Sequence, residues 1–239
     1  MIDKRPGTIA KMFDRIAPTY DRVNAILSLS MDRFWRYDAI RRLDLQDNDL
    51  ALDIATGTGD LALCALKDAR CTVCGLDLSN KMLRIARSKA GDCLIQDNYI
   101  FTSGDALAMP FRGESFDKAM VAFGIRNMTD LDRFFVEVHR VLKEEGRLVV
   151  LELGMPQRLF FRQIYLIYFT RLLPLIGGII SGDMSAYRYL RDSVMSFLSP
   201  QVLKRTMQQN GFVVVYSRSL FFGICHLYLL EKKHNEDIL

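Results

Sequence analysis

The chain has 239 residues, of which 50% are apolar, and a formal charge of +4 at pH 7. This length is typical of one domain with a sizeable core, and the mildly basic charge does not by itself predict nucleic acid as a partner. Five cysteines, an odd number in a chain this long, exclude the disulfide framework of a small secreted protein. The first residues contain no apolar run of the secretory type, so we expect a cytoplasmic protein.

Residues 1–48 are predicted to form a helical cover. Ile9, Met12, Phe13 and Ile16 recur at the spacing of one helix face. The charged and aromatic sequence that follows contains few strand signals, so further helices are expected there.

Residues 49–153 alternate short apolar runs with amphipathic segments, which is the pattern of βαβ units and a parallel sheet. Ser79 is placed to cap a helix over 81–90, and apolar residues recur at helical spacing over 130–142. The predicted strands are 51–55, 72–76, 99–102, 118–123 and 147–153. We expect this part of the chain to be a nucleoside-binding core.

Residues 154–198 break this alternation and are predicted to form a helical lid insertion. The longest apolar stretch of the chain, 164–180, lies inside it. That stretch has 17 residues and is interrupted by Arg171 and Pro174, whereas a spanning helix needs roughly 20 apolar residues in succession. No transmembrane segment is therefore predicted.

Residues 199–239 are predicted to contain a helix and a strand hairpin. Ser199-Pro200 begins the helix and Gly211 ends it. Two apolar runs, 212–216 and 225–230, are joined by a short connection, so we expect them to pair antiparallel. The predicted fold class is α/β: a single domain with a Rossmann-like seven-stranded sheet, an antiparallel C-terminal hairpin and a helical cover.

A glycine loop follows the first predicted strand. Gly57, Thr58 and Gly59 belong to a G-x-G-x-x-A pattern, and Asp77 ends the second strand 20 positions beyond Gly57. Glycines let the backbone approach a ligand closely, and a carboxylate at the end of the second strand can accept hydrogen bonds from both ribose hydroxyls. NAD-binding and S-adenosylmethionine-binding folds share this arrangement, so it predicts a nucleoside without choosing between them.

Asp53 separates these two cofactors. We expect its carboxylate, four residues before Gly57, to face the ligand crevice, where it would repel a pyrophosphate and attract an ammonium or sulfonium group. S-adenosylmethionine is therefore the predicted cofactor, and an NAD-dependent oxidoreductase is the alternative from another class. Asp105 and Ala106, after the third strand, are predicted to contact the adenine.

Three spaced motifs resemble one family over nearly the whole chain. The runs YDRVNAILS at 20–28 with Trp35, LDIATGTGD at 52–60 and FGIRN at 123–127 are similar to those of the ubiquinone/menaquinone biosynthesis C-methyltransferases. The resemblance implies a class I S-adenosylmethionine-dependent methyltransferase fold, with cofactor contacts at Thr58, Asp77, Asp105 and Ala106.

The same resemblance implies the reaction, which is methylation of a ring carbon of a polyprenyl quinol. Demethylmenaquinol is the expected substrate, the 2-methoxy-6-polyprenyl-benzoquinol of ubiquinone biosynthesis is the alternative, and a non-catalytic methyltransferase-like scaffold is a third hypothesis. The family usually has a histidine where this chain has Asp32. We therefore do not count this position as a catalytic base.

Arg126, Asn127 and Tyr20 are the candidate catalytic residues. The first two follow the fourth predicted strand, at the sheet edge where ligands bind in such folds. The arginine can stabilise a phenolate or position a water molecule, and Asn127 can hydrogen-bond a ring oxygen. No metal is expected, and the absence of an Asn/Asp-Pro-Pro-aromatic run after this strand disfavours methylation of nucleobases.

The lid insertion has two interpretations. Its apolar aromatic residues between Arg158 and Arg171 could cover the prenyl tail and rest on an anionic membrane surface as a peripheral contact. The alternative is a buried lid, or a helix at the interface of a homodimer.

Overall fold

The computed structural model describes residues 3–233 of the chain. Its helices are α1 (Pro6–Ile16), α2 (Tyr20–Leu27), α3 (Met31–Leu43), α4 (Asp60–Asp68), α5 (Asn80–Asp92), α6 (Leu131–Val141), α7 (Leu159–Ile167), α8 (Leu173–Ser181), α9 (Met184–Met195) and α10 (Pro200–Gln209). Its strands are β1 (Leu50–Ile54), β2 (Thr72–Asp77), β3 (Tyr99–Ser103), β4 (Phe116–Ala122), β5 (Leu142–Leu153), β6 (Phe212–Leu220) and β7 (Cys225–Lys232).

These strands form one sheet in the order β3-β2-β1-β4-β5-β7-β6. Strands β1 to β5 pair in parallel, β7 is antiparallel to β5, and β6 is antiparallel to β7. The predicted seven-stranded sheet with a C-terminal antiparallel hairpin is confirmed. The strand order reverses between β1 and β4, so their carboxyl ends open a ligand crevice there.

Local signals explain the elements that frame this crevice. Four of the five residues of β1 are buried, as expected for a parallel strand covered on both faces. Ser79 Oγ accepts a 3.1 Å hydrogen bond from the Met82 amide and caps α5 as predicted. Strand β5 begins earlier than its prediction because Leu142 pairs with Phe116 of β4.

Three apolar clusters hold these layers together. One lies between the sheet and α6 and α10, and includes Phe134, Phe135 and Phe212. A second lies on the opposite face, under α3 and α4, and includes Trp35. The third joins α1 and α2 to the helices of the lid insertion through residues such as Phe169. The cover and the insertion therefore pack on each other above the crevice.

The insertion forms a longer helix than its sequence predicted. Helices α7 and α8 are joined by a π-helical turn, Tyr168–Leu172, into one helix that spans Leu159–Ser181. It has 23 residues and contains an 18-residue window with a mean hydropathy of 1.6, so by length and composition alone it is long enough to cross a membrane. The helix is thus longer than the 17-residue apolar stretch on which the expectation of no transmembrane segment rested, and that expectation stays a prediction. The wide turn lies just before Pro174, which has no N–H to donate to a regular helical ladder.

Candidate active site

Two cavities meet at the carboxyl edge of the sheet. The small cavity, of about 90 Å³, is bordered by the glycine loop, the ends of β2 and β3, and α1. The second, here the apolar chamber, has a volume of about 710 Å³ and lies between the N-terminal helices and the insertion. Phe13, Tyr20 and Phe123 border both cavities and mark their junction.

Asp77 fixes the glycine loop beside the small cavity. Its Oδ2 accepts a 2.8 Å hydrogen bond from the Gly57 amide, and its Oδ1 accepts a 2.7 Å hydrogen bond from the Ser79 amide. Gly57 has a φ of +55° and Gly59 a φ of +84°, backbone conformations that favour glycine. Each Asp77 oxygen keeps an acceptor position, so the carboxylate is suited to a ribose diol. Burial raises the pKa of Asp77.

Asp53 differs from its prediction, since it borders neither cavity. It is 1% exposed, and its Oδ2 accepts hydrogen bonds from Thr56 Oγ1 at 2.5 Å and from the Ala62 amide at 3.2 Å. These donors lie on the inner side of the loop, which turns the carboxylate away from the crevice. Burial raises the pKa of Asp53 to about 7. Its hydrogen bonds therefore hold the loop from below, and the carboxyl group does not border the cavity in which a sulfonium or a pyrophosphate would lie.

Thr58 and Gly59 do not border the small cavity either. Thr58 Oγ1 donates a 2.6 Å hydrogen bond to Asp21 Oδ1 in α2, and Lys89 Nζ lies 2.9 Å from Asp21 Oδ2. The Thr58 hydroxyl, which was predicted to contact the cofactor, is thus hydrogen-bonded to the helical cover instead. Sequence reasoning missed Asp21, because its partner lies 37 residues further along the chain.

A second contact joins the cover to α5. Ser79 Oγ donates a 2.5 Å hydrogen bond to Asp14 Oδ1 in α1. Lys4, Pro6 and Ile9 border the small cavity on the same side. The cover therefore forms one wall of the cavity that the sequence assigned to the nucleoside core alone.

Asp105 and Ala106 border the small cavity as predicted. Asp105 Oδ1 accepts a 2.9 Å hydrogen bond from the Leu107 amide, which orients the carboxylate after β3. An ionised carboxylate has about four acceptor positions, so it retains sites for an exocyclic amine.

Arg126 is a buried cation at the edge of the apolar chamber. It is 5% exposed, its Nη1 lies 2.8 Å from Glu152 Oε1, and its amide donates a 3.1 Å hydrogen bond to Glu152 Oε2. A further hydrogen bond runs from Nη1 to the Phe123 carbonyl, whereas Nε is buried without a partner among the described residues. Burial lowers the pKa of Arg126, but Glu152, Tyr20 and Tyr189 together raise it above its ordinary value, so the guanidinium stays charged.

Sequence analysis assigned no role to Glu152, the carboxylate that pairs with Arg126. Its proximity to Arg126 could have been predicted, because Glu152 lies near the end of β5, and β4 and β5 are adjacent parallel strands. The carboxyl ends of such strands meet at the same sheet edge, where Arg126 follows β4.

Asn127 and Tyr20 lie close to Arg126 at the junction of the cavities. Asn127 borders the small cavity, and its Oδ1 accepts a 3.0 Å hydrogen bond from the Tyr189 hydroxyl of α9. Tyr20 borders the apolar chamber together with Arg126 and Arg36. Burial raises the pKa of its phenol, and the positive charges of these two guanidinium groups lower it. The structure thus brings the three predicted catalytic residues together.

The apolar chamber is wide enough for a long hydrocarbon chain. Its wall is mostly aliphatic and aromatic, with residues such as Met12, Leu27, Phe161, Tyr165, Phe169 and Ile176. Asp32 and Arg36 of α3 also border it, although sequence reasoning set Asp32 aside.

Known proteins were compared with the chain at the level of sequence and of fold. It is 39% identical over 230 residues to the demethylmenaquinone methyltransferase of Bacteroides fragilis. The aligned region covers 96% of this chain and 94% of that protein. It is 39% identical over 226 residues to the ubiquinone/menaquinone biosynthesis C-methyltransferase UbiE of Geotalea daltonii, covering 94% and 96%.

A solved structure of phosphoethanolamine N-methyltransferase 2 from Haemonchus contortus, in complex with S-adenosyl-L-methionine, superposes with a TM-score of 0.63 at 16% identity. It covers 83% of this chain and 52% of that one, and it shows the class I methyltransferase fold. The model of the ubiE/COQ5 methyltransferase family matches residues 1–232, as the sequence motifs predicted. The chain therefore belongs to the ubiE/COQ5 methyltransferase family.

Proposed function

We propose that the chain is an S-adenosylmethionine-dependent C-methyltransferase that converts demethylmenaquinol into menaquinol. One observation carries the proposal: a small cavity at the glycine loop, bordered by Asp77 and Asp105, meets an apolar chamber of about 710 Å³ at Tyr20 and Phe123. The named activities of the Bacteroides fragilis and Geotalea daltonii relatives support the same reaction.

The residues around the small cavity fit S-adenosylmethionine. Asp77 would hold the ribose hydroxyls, Asp105 and Ala106 the adenine, and Gly57 would allow close approach of the backbone. When bound, this cofactor supplies an electrophilic methyl group. Thr58 and Gly59 would shape the loop and would not touch the ligand.

The quinol ring would lie at the junction of the two cavities, with its prenyl tail in the apolar chamber. Phe123 has a φ of +59°, an uncommon backbone conformation for a bulky residue, and this turn brings its side chain to the junction. Fixing a ring against a methyl donor can contribute about 7–11 kcal/mol to catalysis.

Arg126 would stabilise the ring oxygen as a phenolate, which makes the adjacent carbon nucleophilic. Its Nε–H is buried without a partner among the described residues, so a phenolate could accept that hydrogen bond. Glu152 holds the guanidinium in place, and Asn127 and Tyr20 would donate further hydrogen bonds to the ring oxygen. The phenolic proton would leave to a water molecule positioned by Arg126. After methyl transfer, the proton of the methylated ring carbon would return to the ring oxygen through the same water, so that one proton is released overall.

One experiment separates the substrate hypotheses. The purified protein is incubated with methyl-labelled S-adenosylmethionine and either demethylmenaquinol or the 2-methoxy-6-polyprenyl-benzoquinol. Label in menaquinol supports the proposal, and label only in the benzoquinol product supports the ubiquinone-type alternative. Binding of S-adenosylmethionine without labelling of either product would favour a scaffold, and binding of NADH in its place would favour an oxidoreductase.

We further propose that the mouth of the apolar chamber rests on an anionic membrane. Large apolar side chains that border the chamber are exposed, namely Ile26, Leu29, Ile164 and Phe222, and the exposed Phe160 ring contacts Phe161 of the chamber wall. Arg158, Arg162 and Arg171 of the insertion are exposed as well and can attract anionic headgroups. A substrate with a prenyl tail would then pass from the bilayer directly into the chamber.

Vesicle flotation tests this contact. We expect the protein to float with anionic vesicles and less with zwitterionic ones, and Phe160→Asp to reduce flotation. Val136→Asp is a matched control, because Val136 is 53% exposed on α6, away from the chamber. Equal flotation of Phe160→Asp and wild type would contradict the membrane contact. A dimer in light scattering that Phe160→Asp converts into a monomer would favour the homodimer interpretation.

A further inference from the structure

We propose that Asp32, held by Ser28 and Arg36, binds the second ring oxygen of the quinol, the one para to the oxygen beside Arg126. This inference rests on the proposed function, because it requires a ring with two para oxygens. It concerns the orientation of the ring in the chamber.

The Asp32–Arg36 pair is built into the chamber wall. The two residues lie one turn apart on the same face of α3, and each is 8% exposed. Ser28 Oγ donates a 2.6 Å hydrogen bond to Asp32 Oδ1, and Arg36 Nη1 donates to Asp32 Oδ2. Burying two ions removes their hydration, so such a pair is weak support for stability and calls for another role.

This pair lies close to the reaction centre. The Arg36 guanidinium carbon is 5.3 Å from the centroid of the Phe123 ring, and Arg126 donates to the Phe123 carbonyl. Two buried arginine–carboxylate pairs therefore flank the residue that marks the junction of the cavities. Tyr20 lies near both guanidinium groups as well.

The Asp32 carboxylate is an available acceptor. Of its roughly four acceptor positions, Ser28 uses one and Arg36 another. Burial raises the pKa of Asp32, but Ser28 and Arg36 lower it by more, so the group is ionised at neutral pH. It can then accept a hydrogen bond from a ring hydroxyl and keep that hydroxyl protonated.

The two pairs would thereby distinguish the two ring oxygens. Arg126 is a donor and favours a phenolate, whereas Asp32 is an anion and favours a neutral hydroxyl. Both groups are satisfied only when the axis through the two ring oxygens runs from Arg126 to Asp32. Asp32 would therefore help to fix this axis, and the prenyl tail in the apolar chamber would then set which ring carbon faces the methyl donor.

A substrate comparison tests this role. The quinol is compared with a monophenol analogue. In the analogue, hydrogen replaces the hydroxyl that is para to the oxygen beside Arg126, which is the hydroxyl that Asp32 is proposed to bind. The measured quantity is the ratio of kcat/KM for the quinol to kcat/KM for the monophenol. In Asp32→Leu/Arg36→Leu we expect this ratio to fall by about tenfold to a hundredfold, because the quinol loses a hydrogen bond to a charged group. The double variant removes both charges and leaves no unpaired buried ion. Cofactor affinity, measured by calorimetry, should stay at its wild-type value.

The chain offers a matched control on the same helix. Asp38 and Arg42 form an ion pair one turn apart, with side chains 31% and 32% exposed, and border neither cavity. Asp38→Leu/Arg42→Leu should keep the wild-type substrate ratio. Should the Asp32 double variant fail to fold, Ser28→Ala removes only the hydrogen bond that orients the carboxylate, and it must lower the ratio in the same direction.

The two possible failures are distinguishable. A folded Asp32 variant with normal cofactor affinity and the wild-type substrate ratio overturns this inference alone. A wild-type protein that binds S-adenosylmethionine but methylates neither compound overturns the proposed function, and this inference with it.

Discussion

The Thr58 hydroxyl donates a 2.6 Å hydrogen bond to the Asp21 carboxylate, which joins the helical cover to the glycine loop. Lys89 reinforces this contact by pairing with both Asp21 and Asp60. These contacts hold the cover against the loop, and the two parts separate only when the contacts break. Exchange of a ligand in the small cavity should depend on how often this contact opens.

Asp21→Asn should accelerate the dissociation of S-adenosylhomocysteine. The substitution removes the negative charge that Lys89 and Thr58 bind, and a charge-assisted contact contributes about 1.5–3 kcal/mol, or roughly tenfold or more in rate. Stopped-flow fluorescence measures the rate, and Asp68→Asn, an exposed position on α4, is the control. An unchanged rate would show that the cover does not limit exchange.

Asp77→Asn should weaken the affinity for S-adenosylmethionine by about tenfold to a hundredfold. An asparagine would turn an N–H₂ group toward either the Gly57 or the Ser79 amide, so one donor would lose its acceptor. Calorimetry gives the dissociation constant. Asp92→Asn, at the exposed end of α5, should bind like wild type; equal affinity of both variants would remove Asp77 from the proposed ribose site.

Arg126→Met should destabilise the fold by about 3–5 kcal/mol, because it leaves Glu152 buried and unpaired. Arg126→Met/Glu152→Gln should recover most of the free energy of unfolding, measured in urea, without recovering turnover, because glutamine carries no charge and keeps an oxygen that can accept from the Arg126 amide. This pair of variants separates the structural role of the arginine from its proposed catalytic one. Wild-type turnover in the folded double variant would exclude Arg126 from the mechanism.

Asp53 should make stability depend on pH between about 4 and 7. Its pKa is raised from 3.8 to about 7 in the folded protein, so the unfolded carboxyl loses its proton first as the pH rises. The free energy of unfolding should then fall through this window and level off above it. In urea unfolding at several pH values, the free energy of unfolding of Asp53→Asn minus that of wild type should increase with pH up to about pH 7. A difference that stays constant with pH would contradict the raised pKa.

Ile176→Trp should narrow the apolar chamber. Ile176, on α8, borders the chamber and does not border the small cavity, unlike Tyr20 and Phe123 at the junction. We expect KM to rise for a long-tailed quinol and to stay unchanged for a short-tailed one, since only the longer tail extends that far. Equal effects on both substrates would argue against a prenyl tail in this chamber.

Sequence patterns predicted the elements well where the signal was local. The Ser79 cap needs only its own helix, and the parallel strands and the terminal hairpin follow from short apolar runs and a short connection. The start of β5 was missed because the polar run after Leu142 resembles a loop, and only pairing with β4 makes it a strand. The length of the insertion helix was missed for a similar reason, since a π turn accommodates Pro174 within a continuous helix.

The sequence by itself determined the family, the fold class and the residues at the carboxyl edge of the sheet, because short motifs and hydrophobic periodicity encode local structure. Only the tertiary structure decided where side chains face. It turned Asp53 beneath the loop, engaged Thr58 with the cover, and placed Asp32 in the wall of the chamber. These outcomes depend on donors and apolar surfaces that are distant in the chain and come together only when the helices pack.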